Sequence, residues 1–378
     1  MTDKLPWLGL RSIPGVGIVL GQRLLQRFGN PAAIFKASFQ DLMAVKGITP
    51  AMAQAIVGFR DWDKLEERLA QLAAQGAEMV TQDDPRFPAG LQLIPYPPPL
   101  LYIKGTLTPA DGLAVAIVGT RGASYYGLKA GRRLAGALAA RGVTVVSGLA
   151  RGIDTAAHQG AMEMNGRTLA VLGCGLDVVY PPENRQLYQE IPEHGALVSE
   201  FPLSTPPDAK NFPIRNRIIS GLALGVVVIE AGVKSGTTIT VRYALDQGRE
   251  VFAVPGPIDS PTSAGPHRLI QDGAKLVQDV EDILEELPAL RQASGPRFAP
   301  AAPAALAAPA GRVSEAPILM RPAPEDPLLP LLGSEPLQLE ELVQAARLPV
   351  QDVLARLTLL ELQGLVKELP GKCYVLDR

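Results

Sequence analysis

The sequence contains little that would support a disulfide framework, a metal centre or a membrane span. Its 378 residues include three histidines and only two cysteines, Cys174 and Cys373, which lie far apart in the chain. These numbers predict a reducing compartment and neither a metal site nor another cofactor, because metal ligands usually recur at short spacings. No apolar run approaches the roughly 18 residues of a membrane helix, and the N-terminal stretch lacks the apolar core of a signal peptide. We therefore expect a cytoplasmic protein without a membrane partner.

An excess of charge of one sign is also missing, since 36 basic residues stand against 38 acidic ones. The charge nevertheless differs between the two ends of the chain. Residues 1–60 carry seven Lys or Arg and two acids, whereas residues 325–378 carry five basic residues and nine acids. The N-terminal part is therefore better suited than the C-terminal part to contact with a polyanion.

Short apolar runs that end in glycine turns dominate the middle of the chain, from about residue 106 to residue 290. The predicted strands of this region are 114–118, 143–146, 168–172, 196–199, 226–229 and 250–254. Helical spacing of apolar residues fills the segments between them. Because the strands are apolar throughout rather than alternating, both faces of their sheet should be covered by helices. We predict an α/β fold with a Rossmann-like, doubly wound and mostly parallel sheet.

The segments on the N-terminal side of this core have a different character. Residues 1–75 contain a weak repeat of 32 residues that aligns Gly15 with Gly47, and its first copy resembles a helix-hairpin-helix motif, which predicts a helical domain of the helix-hairpin-helix or SAM-like type. Hairpin glycines of this kind can expose backbone N–H groups to a phosphate. A plain helical bundle and a protein-docking module are equally open alternatives. Residues 76–105 are rich in proline and predict an extended connector packed on the core.

The C-terminal part predicts a linker and a small domain. Residues 291–324 read as an Ala- and Pro-rich linker, and residues 325–378 as a winged helix-turn-helix of three short helices and two strands. A helix that enters the DNA major groove should present basic residues. The third predicted helix, 350–363, offers only Arg356, against Asp352 and Glu361. A protein-interaction or dimer-supporting role is therefore favoured over DNA binding.

Four glycine turns follow predicted parallel strands and should meet at one edge of the sheet. They are GTRG at 119–122, SGLARG at 147–152, LGCG at 172–175 and EAGVKSGTT at 230–238. Backbone N–H groups and helix N-termini at such an edge attract anions. The sequence has neither the Gly-x-Gly-x-x-Gly turn of a dinucleotide site nor a Walker loop. Several phosphate-binding turns in a row therefore indicate a ligand with several phosphates in a row.

A second group of candidate binding residues runs from Lys210 to Arg217. Pro213 lies near the start of a predicted helix, where the helix dipole and the neighbouring cations favour an anion. Phe212 could stack on a base or belong to the core. In the structural alternative, Arg215 or Arg217 pairs with an acidic residue, Glu200 or Glu230.

Two features leave an enzymatic function open. Asp154 and His158 lie four residues apart on a predicted helix and could form a catalytic pair, but no nucleophile has an obvious claim to join them. We favour a hydrogen bond that holds the SGLARGID turn in shape. Glu230 is a candidate general acid or base, and the turn after it is similar to the phosphate-binding turn of nucleoside monophosphate phosphoribohydrolases. A nucleotide-binding enzyme of that type is the alternative function.

Many motifs occur in order over most of residues 80–280 and resemble the DNA processing protein A family (DprA, also called Smf). They include AIVGTR, VVSGLARGID, AVLGCGLDVVYPPEN, FPIRNRIISGL and ALDQGREVFAVPGP. The resemblance implies a non-enzymatic protein of natural transformation that binds and protects incoming single-stranded DNA. It also implies a homodimer formed through the Rossmann-like domain, and loading of the RecA recombinase onto the DNA. The sequence departs from the family at His267, where the family commonly has asparagine.

The resemblance further implies a set of DNA contacts, which lie on three of the glycine turns and on the helix after Lys210. Among them, Arg121 is the residue from which we expect the largest contribution. The full set is Gly119, Thr120, Arg121, Ser147, Gly148, Arg151, Gly152, Lys210, Phe212, Arg215, Asn216, Arg217, Ser235, Gly236, Thr237 and Thr238.

Overall fold

The computed structural model describes residues 4–293, 326–333, 336–362, 365–369 and 371–376. Its helices are α1 Leu5–Ser12, α2 Ile18–Phe28, α3 Pro31–Lys36, α4 Phe39–Met43, α5 Pro50–Val57, α6 Trp62–Ala74, α7 Ala89–Gln92, α8 Tyr125–Ala139, α9 Ile153–Glu163, α10 Arg185–His194, α11 Asn211–Leu222, α12 Thr237–Asp246, α13 Ala264–Gln271, α14 Glu281–Glu286, α15 Pro288–Ala293, α16 Leu339–Ala346 and α17 Val350–Leu362. Its strands are β1 Ala77–Thr81, β2 Leu100–Gly105, β3 Ala114–Val118, β4 Thr144–Ser147, β5 Thr168–Val171, β6 Gly195–Ser199, β7 Gly225–Val228, β8 Glu250–Ala253, β9 Lys275–Leu276, β10 Leu337–Gln338, β11 Val366–Leu369 and β12 Cys373–Leu376.

Nine strands form one sheet in the order β1-β2-β6-β5-β4-β3-β7-β8-β9. Strands β3 to β9 are parallel to one another, whereas β1 and β2 are antiparallel at one edge. From β3 the chain first builds the β4 to β6 side and then returns to build the β7 to β9 side. The predicted doubly wound, mostly parallel sheet is thus confirmed, and its topological switch point lies at β3.

The six strands predicted from apolar runs correspond to β3 through β8. Strand β3 is buried along its whole length, as expected for a strand with helices on both faces. On one face, α11 and α12 contribute Ile218 and Val241 to a core that also contains Ala116 of β3. A second core packs Ile191 of α10 against Leu197 of β6. The two layers of helices explain why the strands show no polar alternation.

The Pro-rich segment 76–105 forms more than the connector that its sequence predicts, because it contains β1 and β2. Strand β2 pairs with β6 and extends the sheet. Its successive side chains pack into both cores, with Leu101 on one side and Tyr102 on the other. The prolines, from Pro85 to Pro99, all lie between the two strands. They remove no hydrogen bond from the ladder there, so they are compatible with the strands on either side.

The N-terminal helices α1 to α6 confirm the predicted sequence repeat as a structural one. The two hairpin glycines, Gly15 and Gly47, have φ values of +84° and +96°, which favour glycine. A Cβ atom at Gly15 would collide with Met52, and one at Gly47 would lie 3.6 Å from Cδ1 of Leu20. Met52, which contacts Gly15, lies five residues after Gly47, and Leu20, which contacts Gly47, lies five residues after Gly15. The two copies therefore pack on each other reciprocally.

The chain divides into two compact units, of which the first holds nearly all of residues 4–293. The described residues after 325 contain α16, α17 and a three-stranded sheet in the order β10-β12-β11. Among them the structure has two helices, not the predicted three, because residues 327–331 form a turn. The predicted linker, 291–324, lies outside the described residues except for 291–293, which end α15. The predicted domain boundaries stay predictions. Within the described chain, no helix is long and apolar enough to span a membrane.

Candidate functional site

A cleft of about 580 Å³ lies at the switch point of the sheet, where the carboxyl ends of β3 and β7 meet. Ligands of open α/β sheets bind at this position. The prediction that the glycine turns share one edge is confirmed, since β3, β4, β5 and β7 are parallel neighbours. The cleft is lined by Val118, Gly119, Thr120, Arg121, Ala150, Asp154, Tyr180, Pro207, Ala209, Phe212, Pro213, Arg215, Asn216, Ile219, Ser235, Gly236, Thr237, Ile239 and Thr240.

Glycine is required where the turns after β3 and β4 touch. The backbone N–H of Thr120 donates to the backbone oxygen of Glu230 at 2.7 Å, which ties the turn after β3 to the end of β7. A Cβ atom at Gly119 would collide with Ile153 and lie 2.9 Å from the same Glu230 oxygen. A Cβ atom at Gly152, whose φ is +76°, would collide with the backbone of Thr120. This packing fixes the backbone that carries Arg121.

Asp154 holds the turn after β4 in shape, as the sequence analysis favours. Its Oδ2 accepts hydrogen bonds from the backbone N–H groups of Gly148 at 3.1 Å and Ala150 at 3.3 Å. Burial raises the pKa of Asp154, and the nearby Arg215 cation opposes that rise. The carboxylate and its two N–H donors together define the wall of the cleft at this turn.

Arg215 braces the ends of two strands from inside the cleft wall. The residue is only 4% exposed. Its Nη1 donates to the backbone oxygen of Gly148, at 2.8 Å, and to that of Val171 at the end of β5. Burial lowers the pKa of Arg215 to about 10, so the guanidinium stays charged at neutral pH. The Arg215 side chain thus donates to two backbone carbonyl oxygens of the protein and also lines the cleft.

The predicted contacts Gly148 and Gly152 do not line the cleft. Ser147 and Arg217 also lie outside its lining, bonded to other partners. The hydroxyl of Ser147 is buried and donates to the backbone oxygen of Ile117 at 2.6 Å. Arg217 is 5% exposed and forms a buried ion pair with Glu200, which is 2% exposed. This pair is the structural alternative that the sequence left open. A DNA contact by Ser147 or Arg217 stays a prediction, and burial argues against it.

Phe212 and Tyr180 form an aromatic pair on one wall of the cleft. Their ring centroids are 5.6 Å apart, with a tilt of 41° between the ring planes. The guanidinium carbons of Arg121 and Arg215 lie 5.2 Å and 5.9 Å from the centroid of the Phe212 ring. Phe212 is half-buried. Sequence analysis missed Tyr180, whose one local signal is that it follows the LGCG turn.

The predicted contacts Arg151 and Lys210 are exposed and lie just outside the lining of the cleft. Arg151 pairs with Glu183 at 2.7 Å, and Lys210 pairs with Asp208 at 3.2 Å. Exposed ion pairs of this kind contribute little to stability. Both cations can therefore exchange their carboxylate partner for a phosphate at small cost.

The SGTT turn brings the N-terminus of α12 to the cleft. Ser235, Gly236 and Thr237 line it, whereas Thr238 lies outside the lining and donates to the backbone oxygen of Val233 at 3.4 Å. The Oγ of Ser235 is buried and has no hydrogen-bond partner in the described part of the chain. An anion at this helix N-terminus would be favoured by the helix dipole and by the backbone N–H groups of the first turn.

Asp154 and His158 do not form a catalytic pair. The hydroxyl of Thr168 donates to the backbone oxygen of Val145, at 2.9 Å, so it accepts from His158 Nδ1 at 2.7 Å. This leaves Nε2 of His158 without a proton and, among the described residues, without a partner. Glu230 is 2% exposed and does not line the cleft. Within the described residues there is also no cluster of side chains that could hold a metal ion.

We predict that His158 makes the protein less stable in mild acid. Burial lowers its pKa to about 3 from an ordinary value of 6.5. Between these values the unfolded chain binds a proton that the folded chain does not, so stability falls as the pH drops below 6.5. From pH 7 to pH 5 the native protein should lose about 2 kcal/mol more than a His158→Gln variant. Urea unfolding at both pH values measures this, and equal losses would contradict the assignment.

The chain matches the family model described as DNA recombination-mediator protein A over residues 78–288, more than half of its length. The chain belongs to this family, DprA/Smf. The model of the DprA winged helix domain matches residues 299–372, and a helix-hairpin-helix motif matches residues 7–68. These matches confirm the resemblance seen in the sequence and the types of both flanking domains.

Proteins of two bacteria are similar over most of the chain. Protein Smf of Synechocystis is 37% identical over an alignment 393 residues long, and the alignment covers 99% of this chain and 98% of that protein. Protein Smf of Escherichia coli is 42% identical over 374 residues, with coverages of 98% and 95%. The X-ray structure of DprA from Streptococcus pneumoniae has a TM-score of 0.68 and 35% identity and covers 75% of this chain and 98% of that one.

A structure of DNA processing protein A from Helicobacter pylori is also similar, with a TM-score of 0.51 and 29% identity. It covers 56% of this chain and 96% of that one. The H. pylori structure is described as giving insight into a unique single-stranded DNA binding mode of that protein.

Proposed function

We propose that this protein binds single-stranded DNA in the cleft at the switch point, without catalysis. One observation carries the proposal: the turns after β3, β4 and β7 all reach one cleft, which Arg121 and the N-terminus of α12 line. Such turns bind phosphates through backbone N–H groups. The single-stranded DNA binding described for the H. pylori relative supports the same ligand.

A strand fits the surroundings of the cleft better than a mononucleotide does. The exposed cations Arg151 and Lys210 lie outside the lining, but each is the chain neighbour of a lining residue, Ala150 or Ala209. A strand that extends beyond the cleft can therefore reach these cations, whereas one nucleotide would stay inside. Aromatic rings and cations along a groove suit a single strand of any sequence.

Titration of a labelled oligothymidylate at several salt concentrations tests the proposal. With about four phosphates neutralised, log affinity against log salt should have a slope near −3. A duplex of the same length should bind more weakly, because a stiff double helix cannot follow the turns into the cleft. Equal binding of duplex and single strand would contradict the site, as would a slope near zero.

The enzymatic alternative has a separate outcome. A nucleoside monophosphate phosphoribohydrolase would release free base from its substrate. Glu230, the candidate acid or base, is buried and lies outside the lining of the cleft, which disfavours that reaction. We expect no free base when the protein is incubated with nucleoside monophosphates.

The wider role that we infer is delivery of the strand to RecA recombinase during natural transformation, by a cytoplasmic homodimer joined through the Rossmann-like domain. The description of the family as a recombination mediator supports this role. Arg356 is the arginine of α17, and its guanidinium donates to Asp326 at 3.1 Å, so it is already paired within the domain. Because a helix that reads DNA should present free basic residues, the C-terminal domain fits a protein-interaction role better. The protein should shorten the lag of RecA-dependent ATP hydrolysis on DNA covered by single-strand binding protein. An unchanged lag would contradict the RecA step.

A further inference from the structure

Phe212 is packed into the cleft wall on several sides. A Cβ atom at Gly173 would lie 2.7 Å from Cδ1 and 2.9 Å from Cε1 of the Phe212 ring. The ring therefore occupies space that exists because residue 173 is glycine. Tyr180 and Arg215 lie near the same ring, with centroid distances of 5.6 Å and 5.9 Å. Much of the ring surface that a base would need is thus taken by protein.

Arg121, in contrast, has little to hold it besides this ring. Its side chain is exposed, and within the described residues its guanidinium makes no hydrogen bond or ion pair. Its guanidinium lies over Phe212, whose ring centroid is 5.2 Å from Cζ. A guanidinium over an aromatic ring is attracted to the ring face and keeps its N–H donors free for a phosphate.

We propose that Phe212 is a positioning residue that holds Arg121 ready for a phosphate, and that it does not act as a platform for a base. The inference rests on the proposed function of the cleft. In this arrangement Gly173 and Tyr180 fix the ring, and the ring fixes the cation. Loss of the ring leaves Arg121 charged but free to adopt many rotamers, so part of its phosphate contact is lost with it.

The two possible roles of Phe212 depend differently on salt and on bases. A stacking ring acts on the base, so its contribution disappears on a strand without bases and leaves the salt slope unchanged. A ring that positions Arg121 acts through the phosphate contact. Its contribution therefore persists on a strand without bases and changes the salt slope.

The test compares Phe212→Leu, Arg121→Ala and the double variant, all in the full-length protein. The probes are an oligothymidylate and an abasic oligonucleotide of equal length. We expect Phe212→Leu to weaken binding of both probes by about 2- to 10-fold, and to bring the salt slope part of the way toward that of Arg121→Ala. The double variant should bind no more weakly than Arg121→Ala alone, since the ring acts through the arginine.

Phe212→Tyr is the conservative variant, because it keeps an aromatic face, and it should recover most of the affinity and salt slope that Phe212→Leu loses. Thermal unfolding checks the fold of each variant, and Phe212→Met replaces Phe212→Leu in the comparison if the latter does not fold. Weaker binding to oligothymidylate alone, with an unchanged slope and additive losses in the double variant, would overturn the positioning role and leave the DNA site intact. Absence of binding by the native protein would overturn both proposals.

Discussion

Alanine in place of Arg121 should weaken single-stranded DNA binding by about 10- to 100-fold, which corresponds to the roughly 1.5–3 kcal/mol of a charge-assisted hydrogen bond. The turn that carries Arg121 is fixed on both sides, by the Thr120 to Glu230 hydrogen bond and by the packing of Gly152. The loss should be the same for every sequence, because a phosphate contact carries no base information. The salt slope should become less negative by about 0.7, the value for one phosphate on a single strand. Fluorescence anisotropy at several salt concentrations measures both quantities.

Arg86→Ala is a control for the loss of one positive charge. Arg86 is exposed and pairs with Glu78 and Asp84, beside β1 at the edge of the sheet. We expect the Arg86→Ala variant to bind single-stranded DNA with nearly the native affinity and the native salt slope. Arg121→Lys should recover part of the affinity, since lysine keeps the charge but lacks the planar fork of donors. Equal losses in Arg86→Ala and Arg121→Ala would show that net charge, and not the cleft, controls binding.

Methionine in place of Arg217 should lower the free energy of unfolding by about 3–5 kcal/mol, the usual effect of removing one partner of a buried ion pair. Glu200 would be left 2% exposed without its cation. Burial already raises the pKa of Glu200, and the Arg217 cation is what opposes that rise most strongly. Urea unfolding at neutral pH measures the loss.

A double variant, Glu200→Gln with Arg217→Met, should regain most of that stability, because neither remaining side chain is then charged. Arg217→Met should also leave the salt slope of DNA binding unchanged, since Arg217 does not line the cleft. Native stability combined with a reduced slope would instead restore Arg217 as the DNA contact that the sequence predicted.

Spacing on a helix explains why the Arg-Asn-Arg motif was only partly interpretable from sequence. Each residue of an α-helix is rotated by about 100° from the one before, so residues 215 and 217 differ by about 200°. Arg215 and Arg217 therefore cannot both face the cleft. Arg215 lines it and Arg217 faces Glu200. Which of the two would turn inward depends on the rotation of α11 against the sheet, which the local sequence does not encode.

The central strands could be predicted because an apolar run that ends in glycine has few other interpretations in a chain of this composition. Strands β1 and β2 were missed because proline is frequent in their surroundings, and the prolines turned out to lie between the strands. Tyr180 reaches the cleft through a long loop after β5. Its position is a tertiary property, for which the sequence offers no periodicity. The glycine turns and Arg121, by contrast, were located by their place after parallel strands.

The antiparallel strand β2 also limits how this protein can be shortened. A fragment that began at residue 106, the predicted start of the Rossmann-like domain, would lose the ladder that joins β2 residues Tyr102 to Gly105 with β6 residues Ala196 to Ser199. Strand β6 would become an open edge, and the surface under Leu101 and Ile103 would be exposed to water. Open apolar edges recruit strands from other chains and aggregate. The segment before residue 106 and the sheet that carries the cleft therefore fold as one unit, and a fragment meant to keep the cleft must include β2 and the loop before it, whose Phe87, Leu91 and Ile94 belong to the same core.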